Sequence, residues 1–227
     1  MLTSEMLREI EVFQAANSAS LKMFAQFGWL KVLSKGEALF EDKEKQEFVY
    51  FLFKGLVSIY KMNYLGEKKV IFLFKEGKML NEAVFQSLPS SVSCEALEKS
   101  QILVIPKDVF LQAMEKDFNL TKAVMGSLAH KIRRLYRQLK NTSGSIRGDK
   151  RLAAKLWKLA NDYGLKTDKG VYIQLSLSIT YLADMLGSKR ETVSRHMKCL
   201  AEQGLIRLEK NRIIVFDADK LAAYFKE

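Results

Sequence analysis

Proline and cysteine are scarce in this 227-residue chain, with two residues of each, and glycine contributes only twelve. So few prolines and glycines exclude a collagen-like chain or one dominated by linkers. The two cysteines, Cys94 and Cys199, cannot form a multi-disulfide scaffold or, within one chain, a four-cysteine cluster. The longest apolar runs, Phe48–Phe53 and Val70–Phe74, are strand-sized, whereas a membrane span needs about 20 residues. What remains is a globular chain, since 48% of its residues are apolar and 28% are charged.

The first residues, MLTSEMLREIEVF, lack the basic and apolar regions that a secretory signal needs. Because no membrane-sized run follows either, the sequence predicts a cytoplasmic protein with no membrane partner. A length of 227 residues fits one large or two medium domains, and it suffices to bury a core without disulfides or metals.

The positive charge is confined to one end of the chain. Residues 1–128 carry 16 Lys and Arg and 16 Asp and Glu, whereas residues 129–227 carry 21 Lys and Arg and 10 Asp and Glu. The second segment therefore accounts for the whole net charge of +11. This asymmetry indicates that only the C-terminal half meets a polyanion such as nucleic acid, although a basic surface kept for solubility explains the same numbers.

Short strand-like segments recur roughly every 10 residues between Leu30 and Pro106, separated by turn residues such as Gly36, Gly55 and Gly77. Regular short strands with turn signals favour an all-β sandwich or barrel. The stretch before Gly28 is predicted to be helical.

The hydrophobic period becomes helical between Lys107 and Asn141. Residues spaced 4, 3, 4, 3 and 4 apart form a narrow heptad-like seam, made of Thr121, Met125, Leu128, Ile132, Leu135 and Leu139. A seam this narrow favours a helix that packs against the same helix of a second chain in a homodimer. The alternative is an amphipathic helix lying on the β-rich domain. The basic residues beside the seam are expected to be solvated: Lys131, Arg133, Arg134 and Arg137.

The polar, glycine-interrupted segment Asn141–Gly148 is the predicted domain boundary. Beyond it the sequence predicts a helix over Arg151–Tyr163, a polar loop over Gly164–Gly170 and a short strand. Two compact helices and two β runs about a Lys210–Asn211 turn follow. Helix, helix pair and hairpin together are typical of a small winged-helix domain.

The segment Ile179–Leu200 fits a helix-turn-helix. Ser178 is a suitable N-cap, Ala183 is small enough for two helices to approach, and Gly187 can take the positive φ that ends the first helix. On the second helix a buried stripe is expected from Val193, Met197 and Leu200. His196 lies where such motifs usually bury an aliphatic residue, and we interpret it as a partly buried structural histidine.

The opposite face of the second helix has the chemistry that the DNA major groove requires. The predicted base-reading residues are Arg190, Glu191, Ser194 and Arg195. Arg pairs with guanine, Glu accepts from cytosine, and short hydroxyls reach phosphate or base. The predicted phosphate contacts are Ser178, Lys189, Thr192 and Lys198, with Lys210 and Arg212 on the hairpin. The alternative is a solvated charged face with internal Glu–Arg pairs.

In this order of elements the chain resembles the Crp/Fnr regulators, the relatives of the cyclic-AMP receptor protein. The resemblance spans roughly residues 20–220 and is most specific at Arg190–Arg195 and Tyr50–Tyr60. It implies an α+β fold with an N-terminal β-roll of the cyclic-nucleotide-binding jelly-roll type, a long dimerisation helix and a C-terminal winged helix-turn-helix. The corresponding domains are residues 1–106, 107–141 and 142–227.

The same resemblance implies a transcription regulator in which a two-fold dimer faces two half-sites with a TTGAT or TGTGA core. Arg190, Glu191 and Arg195 would be the base readers. RNA polymerase is an implied partner of activating members, through a surface loop for which Asp162–Gly170 is the candidate. An effector would shift the hinge between the seam helix and the reading helices.

The effector is expected to differ from cyclic AMP. Cyclic-nucleotide members carry Gly-Glu and then Arg-Ser, whereas this chain has Asn81–Glu82 and then Ser90–Ser91. No Lys or Arg occurs from Met79 to Glu98, so a buried phosphate would lack a cationic partner. The candidate pocket residues are Asn81, Glu82, Ser90, Ser91 and Cys94. Cys94 is either a redox group or, as we favour, a small buried apolar residue.

No cofactor is expected. Residues 1–30 contain no cysteine for an iron–sulfur cluster, and His130 and His196 lie outside the pocket where a haem would bind. The effector options are a small neutral or apolar ligand, a protein signal, or none. An enzyme on a β-roll scaffold is disfavoured because no catalytic or metal-ligand pattern is present. A cyclic-nucleotide-binding module that docks protein or RNA is the remaining alternative.

Overall fold

The structure is a computed structural model that describes residues 2–140, 147–209 and 212–226. Most of the predicted boundary, residues 141–146, and the predicted turn at Lys210 lie outside the described residues. The chain divides into two compact units. The first unit consists of the chain up to Asn63 together with Val70–Tyr136. The second unit consists of Tyr64–Lys69 and the chain from Arg137 onward.

The first unit is a β-roll with helices on one side. Its helical elements before the long helix are α1 (Ser4–Leu7), a 3₁₀ turn (Glu11–Phe13), α2 (Ser18–Phe27), a second 3₁₀ turn (Glu82–Phe85) and α3 (Lys107–Lys116). Its strands are β1 (Trp29–Leu33), β2 (Ala38–Phe40), β3 (Phe48–Lys54), β4 (Leu56–Met62), β5 (Lys68–Lys75), β6 (Ser93–Ala96) and β7 (Ser100–Pro106). They form a three-stranded sheet in the order β1-β7-β3 and a four-stranded sheet in the order β2-β6-β4-β5.

The continuous apolar run of β3 follows from burial on both of its faces. Val49, Phe51 and Phe53 pack with the helices, whereas Tyr50 and Leu52 pack into the interior of the roll. Alternate residues of a strand point to opposite faces, so a strand buried on both sides has no polar alternation. On the helix side the rings of Phe13 and Phe51 lie 4.7 Å apart and belong to an aromatic cluster.

The helical region predicted between Lys107 and Asn141 resolves into α3 and a long helix, α4 (Phe118–Lys140). They are separated by Asp117, which is buried and extended at φ −128°. Its carboxylate accepts hydrogen bonds from the Asn17 backbone N–H at 2.7 Å, the Ser20 hydroxyl at 2.9 Å and the Leu120 backbone N–H at 3.2 Å. Asp117 therefore caps the N-terminus of α4 through Leu120 and links it by hydrogen bonds to Asn17 and Ser20 at the start of α2.

The second unit is a winged helix-turn-helix. Its elements are α5 (Gly148–Tyr163), β8 (Gly164–Thr167), β9 (Gly170–Ile173), α6 (Ile179–Leu186), α7 (Arg190–Glu202), β10 (Ile206–Glu209), β11 (Arg212–Val215) and α8 (Ala218–Lys226). The strands form one antiparallel sheet in the order β10-β11-β9-β8. The prediction of a loop over Gly164–Gly170 is wrong, because residues 164–167 form β8 and pair with β9. The predicted α+β fold class is confirmed.

Within the described ranges, no helix combines the length and apolar character that crossing a lipid bilayer requires. Across those same ranges, no group of three or more His, Cys, Asp and Glu side chains is placed to hold a metal ion.

Candidate nucleic-acid interface

Both predicted ends of α6 are present as local hydrogen-bonded structures. The Ser178 hydroxyl accepts from the backbone N–H of Tyr181 at 3.0 Å, which caps the helix. At the other end Gly187 has φ +61°, and its N–H donates to the carbonyl of Ala183. Ala183 itself is buried, as its small side chain predicted. The turn is therefore fixed by residues whose conformational preferences are local.

A further contact at the end of α6 had no sequence signal. The Arg151 guanidinium, from α5, donates to the carbonyl of Leu186 at 2.7 Å. A cation at a helix C-terminus satisfies a free carbonyl and is favoured by the helix dipole. Arg151 thus joins α5 to the helix pair, a role visible only once the tertiary structure is known.

The second helix, α7, exposes the whole predicted base-reading face. Arg190, Glu191, Ser194 and Arg195 are all exposed, whereas Val193, Met197 and Leu200 are buried on the opposite side. The spacing of the polar residues matches one side of a helix with 3.6 residues per turn. The side chains that would read bases therefore share one surface on a helix anchored by its apolar side.

The predicted phosphate contacts are distributed over α6, α7 and β11. Ser178 and Lys189 lie at the N-termini of α6 and α7, where backbone N–H groups also point outward, and Thr192 is partly buried. Lys198 is exposed, and its Nζ lies 3.8 Å from Oε1 of Glu202. Arg212 begins β11, with its guanidinium 5.7 Å from the centre of the Tyr172 ring. Lys210 lies outside the described residues.

His196 packs against the start of α5, which explains its departure from the usual aliphatic residue. The side chain is partly buried, and its Nε2 would lie 2.6 Å from a Cβ placed on Gly148. A glycine at the first position of α5 thus leaves room for the imidazole. The interpretation as a partly buried structural histidine agrees with this packing.

The candidate effector residues are largely engaged with the rest of the chain. Asn81 is buried, its Oδ1 accepting from the Tyr50 N–H at 2.9 Å and its Nδ2 donating to the Phe48 carbonyl at 2.8 Å. Ser90 donates to the carbonyl of Val92 at 2.7 Å, and the carbonyl of Ser91 accepts from Lys61. These contacts hold the chain around β3 and β6.

Cys94 is fully buried between the two sheets of the β-roll. Burial raises the pKa of the Cys94 thiol. The positive charge of Lys131 opposes this shift, and the negative charge of Glu95 adds to it. The sulfur is therefore a protonated thiol and a poor nucleophile. This burial agrees with the interpretation of Cys94 as a small buried apolar residue.

Glu82 meets a cation that the sequence did not predict there. Its carboxylate accepts hydrogen bonds from Lys131 and, at 2.6 Å, from the Ser127 hydroxyl. Further along α4, Arg134 stacks 4.7 Å from the centre of the Phe72 ring. The expectation that Lys131 and Arg134 are solvated is therefore wrong, whereas Arg133 and Arg137 are exposed. The inference that this region lacks a cation is also wrong, because α4 supplies one from outside Met79–Glu98.

An open groove of about 430 Å³ runs beside this cluster, along α4. Its lining includes Glu11, Lys78, Met79, Ser127 and Lys131. None of the candidate effector residues Asn81, Glu82, Ser90, Ser91 and Cys94 lines it.

The predicted dimer seam of α4 is open to solvent. Met125 is 61% exposed, Ile132 46% and Leu139 66%, with Leu135 also exposed and Leu128 partly buried. The helix does lie against the β-roll, but it does so through the neighbouring stripe that contains Leu120 and Val124, which are buried. The seam residues are thus an apolar surface that the chain itself leaves largely uncovered.

Two family models match the chain. A cyclic nucleotide-binding domain covers residues 30–117, and a Crp-like helix-turn-helix domain covers residues 150–224. The Global nitrogen regulator of Synechococcus elongatus is 26% identical over 220 residues, which are 93% of this chain and 99% of the relative. This chain belongs to the Crp/Fnr family of transcription regulators.

A second relative of this Crp/Fnr regulator is the CRP-like cAMP-activated global transcriptional regulator of Mycobacterium tuberculosis. It is 21% identical over 96% of this chain and 97% of the relative. Among solved structures, a CooA mutant from Carboxydothermus hydrogenoformans superimposes with a TM-score of 0.78 and 21% identity. That match covers 96% of this chain and 95% of the other, and it supports the fold.

Proposed function

We propose that this Crp/Fnr regulator is a homodimer that binds double-stranded DNA sequence-specifically and controls transcription. The observation that carries the proposal is the exposed face of α7, where Arg190, Glu191, Ser194 and Arg195 lie side by side. Arg forks onto guanine and Glu accepts from cytosine. The resemblance to Crp/Fnr members implies a palindromic site with TTGAT or TGTGA half-sites as the target. The protein acts in the cytoplasm, with RNA polymerase as its partner, and it is not an enzyme.

Dimerisation is supported by the open seam on α4. Its five apolar residues repeat at heptad spacing and include three that are at least 46% exposed, Met125, Ile132 and Leu139. Pairing two such seams would bury them in a coiled coil and relate the chains by a two-fold axis. Two copies of α7 would then face half-sites about 34 Å apart, one helical turn of DNA.

Control by an effector other than cyclic AMP is supported by the contacts of Glu82. In the cyclic-nucleotide members that this chain resembles, the matching carboxylate is a pocket residue. Here both carboxylate oxygens of Glu82 accept hydrogen bonds from α4, and Ser90 replaces the arginine that would hold a phosphate. Lys131, the cation that α4 places beside Glu82, is already paired with it, so a cyclic phosphate would have to displace Glu82 to gain this cationic partner.

The proposal is tested by fluorescence-anisotropy titration of the unliganded protein. One duplex carries a palindromic TTGAT/ATCAA site and the other a scrambled sequence, and both are titrated across a salt series. We expect tighter binding to the palindrome at every salt concentration. Equal, steeply salt-dependent binding to both duplexes would contradict the assigned half-site, and an unbiased selection of DNA sequences would then identify the true one. No binding to any duplex at low salt would contradict DNA recognition itself.

A further inference from the structure

A buried ion pair connects the 3₁₀ turn Glu82–Phe85 to the long helix α4. The Glu82 side chain is 2% exposed and the Lys131 side chain 16%. Oε2 of Glu82 accepts from Lys131, and Oε1 accepts from the Ser127 hydroxyl at 2.6 Å. Ser127 and Lys131 are four residues apart on α4, so they project from the same side of the helix.

The Lys131 ammonium is fully satisfied within the chain. Besides Glu82, it donates to the carbonyl of Met79 at 3.0 Å and to that of Leu80 at 3.3 Å. An ammonium has three donors, and each of them has an acceptor here. The ring of Phe74 covers the same group, with its centre 4.7 Å from Nζ. Neither charge therefore requires an external ligand.

Such a cluster contributes geometry more than stability. Burial lowers the pKa of Lys131 despite the neighbouring Glu82, which means that its ammonium is costly to bury. Replacing buried ion pairs by apolar residues is often neutral or stabilising, whereas removing one partner is destabilising because it leaves a buried charge unpaired. A buried pair that adds little stability instead distinguishes one arrangement of two elements from another.

The arrangement that is fixed is the rotation of α4 about its own axis. Arg134 extends the inward stripe of Ser127 and Lys131 by stacking on Phe72. At 100° per residue, this stripe and the seam from Met125 to Leu139 lie roughly 100° apart around the helix. With the inward stripe held by Glu82, the seam can face in only one direction from the β-roll.

We propose that Glu82, Ser127 and Lys131 form an internal latch that holds α4 in the rotation required for DNA binding, without a diffusible ligand. This inference rests on the proposed function, because the seam it aims is the proposed dimer interface. The resting protein is then competent to bind DNA. A regulatory signal acts by opening the latch and rotating α4.

The test compares latch variants with a matched control. Lys131→Met and Glu82→Gln each remove one charge, and the double variant Lys131→Met/Glu82→Met replaces the pair with apolar side chains. Arg133→Met removes a charge from an exposed position two residues from Lys131 on the same helix. Each variant is titrated against the preferred duplex, after circular dichroism has shown that it is folded. Hydrogen exchange of α4 is measured in parallel.

We expect the unliganded wild-type protein and Arg133→Met to bind the duplex equally, and each single latch variant to bind about tenfold or more weakly. Adding cyclic AMP to the wild type should change nothing. Folded single variants that keep wild-type affinity would overturn the latch, and so would wild-type binding that appears only after cyclic AMP is added. If a single variant does not fold, the double variant decides, since wild-type affinity in a folded double variant would equally overturn the proposal.

Failure of the proposed function gives a different result. If the wild type discriminates no DNA sequence, the proposal of sequence-specific DNA binding is wrong. The hydrogen-exchange rates of α4 then remain as the test of whether the latch holds this helix. Faster exchange of residues 127–136 in the latch variants than in Arg133→Met would support a latch that holds α4. Equal exchange in all of them would overturn it.

Discussion

At the scale of single residues, the exposed side chains of α7 differ in what they are expected to recognise. Arg195 belongs to the reading face, and Arg195→Ala should cost ~1–3 kcal/mol on the preferred site and relax its sequence preference. Lys198→Ala is the matched control, because a phosphate contact carries no sequence information and its loss should weaken all duplexes alike. Anisotropy titrations on cognate and scrambled DNA measure both effects. Unchanged discrimination in Arg195→Ala would contradict its role as a base reader.

Asp117 provides a second residue-scale prediction, on stability. Burial alone would raise the pKa of Asp117, but hydrogen bonds from the Asn17 and Leu120 backbone, the Ser20 hydroxyl and the Asn119 backbone hold it below its usual value. A carboxylate with a depressed pKa stabilises the folded state above the unfolded-state pKa, and this contribution is lost as the pH falls through the folded-state pKa.

Asp117→Asn should therefore lower the free energy of unfolding by roughly 1–3 kcal/mol at neutral pH, since an amide places a donor where the carboxylate only accepts. Urea unfolding of both proteins between neutral pH and pH 3 measures the difference. We expect it to be constant above about pH 5 and to shrink below about pH 4, as the pH falls from the unfolded-state pKa of the wild-type carboxyl toward its lower folded-state pKa. A difference independent of pH would show that Asp117 does not act as a carboxylate.

At the scale of elements, the contact between α5 and α7 depends on the absence of one Cβ. A Cβ on Gly148 would lie 2.6 Å from Nε2 of His196, so Gly148→Ala must displace the imidazole from its place between α5 and α7. We expect Gly148→Ala to destabilise the protein and weaken DNA binding. In the His196→Ala background the same change should be neutral or stabilising, because alanine is the better helix former.

Thermal unfolding of Gly148→Ala, His196→Ala and the variant with both substitutions, compared with the wild type, completes a double-mutant cycle. Residues in direct contact show coupling of about 0.5–3 kcal/mol, and we expect a value in that range. Additive effects would show that the imidazole moves aside freely and that Gly148 has no role in positioning α7.

The helix-turn-helix could be predicted from sequence because its determinants are local. Ser178 caps the helix that follows it, and Gly187 takes a positive φ that its own lack of a side chain permits. The seam of α4 was equally visible, since heptad spacing is a property of the helix alone. Each of these signals lies within a few residues of the structure that it produces.

The inward side of α4 could not be predicted in the same way. A charged residue on a helix is usually exposed, so the sequence predicts that Lys131 and Arg134 are solvated. Their burial depends on partners distant in sequence: Glu82 on the 3₁₀ turn and Phe72 on β5. Arg151 was missed for the same reason, as its acceptor is the carbonyl of Leu186, 35 residues away.

At the scale of the whole molecule, the proposed function depends on two chains presenting α7 together. A dimer gains affinity because the second half-site binds at a high effective concentration once the first is bound. The seam must therefore be apolar enough to join the chains, and a single charge in it should separate them. Leu128→Asp and Leu135→Asp place an unpaired carboxylate in that surface, where its burial would be costly.

We expect both variants to be monomers in sedimentation while keeping the fold of the isolated chain, because Leu135 is exposed and Leu128 only partly buried within it. Binding to the palindrome should fall by a factor of about 10² or more, toward that of a single half-site. Arg133→Asp is the control, since the exposed Arg133 lies on α4 outside the heptad positions. A dimer that survives both leucine substitutions would place the interface on another surface of the molecule, and the direction in which Lys131 and Glu82 aim α4 would then have no bearing on DNA binding.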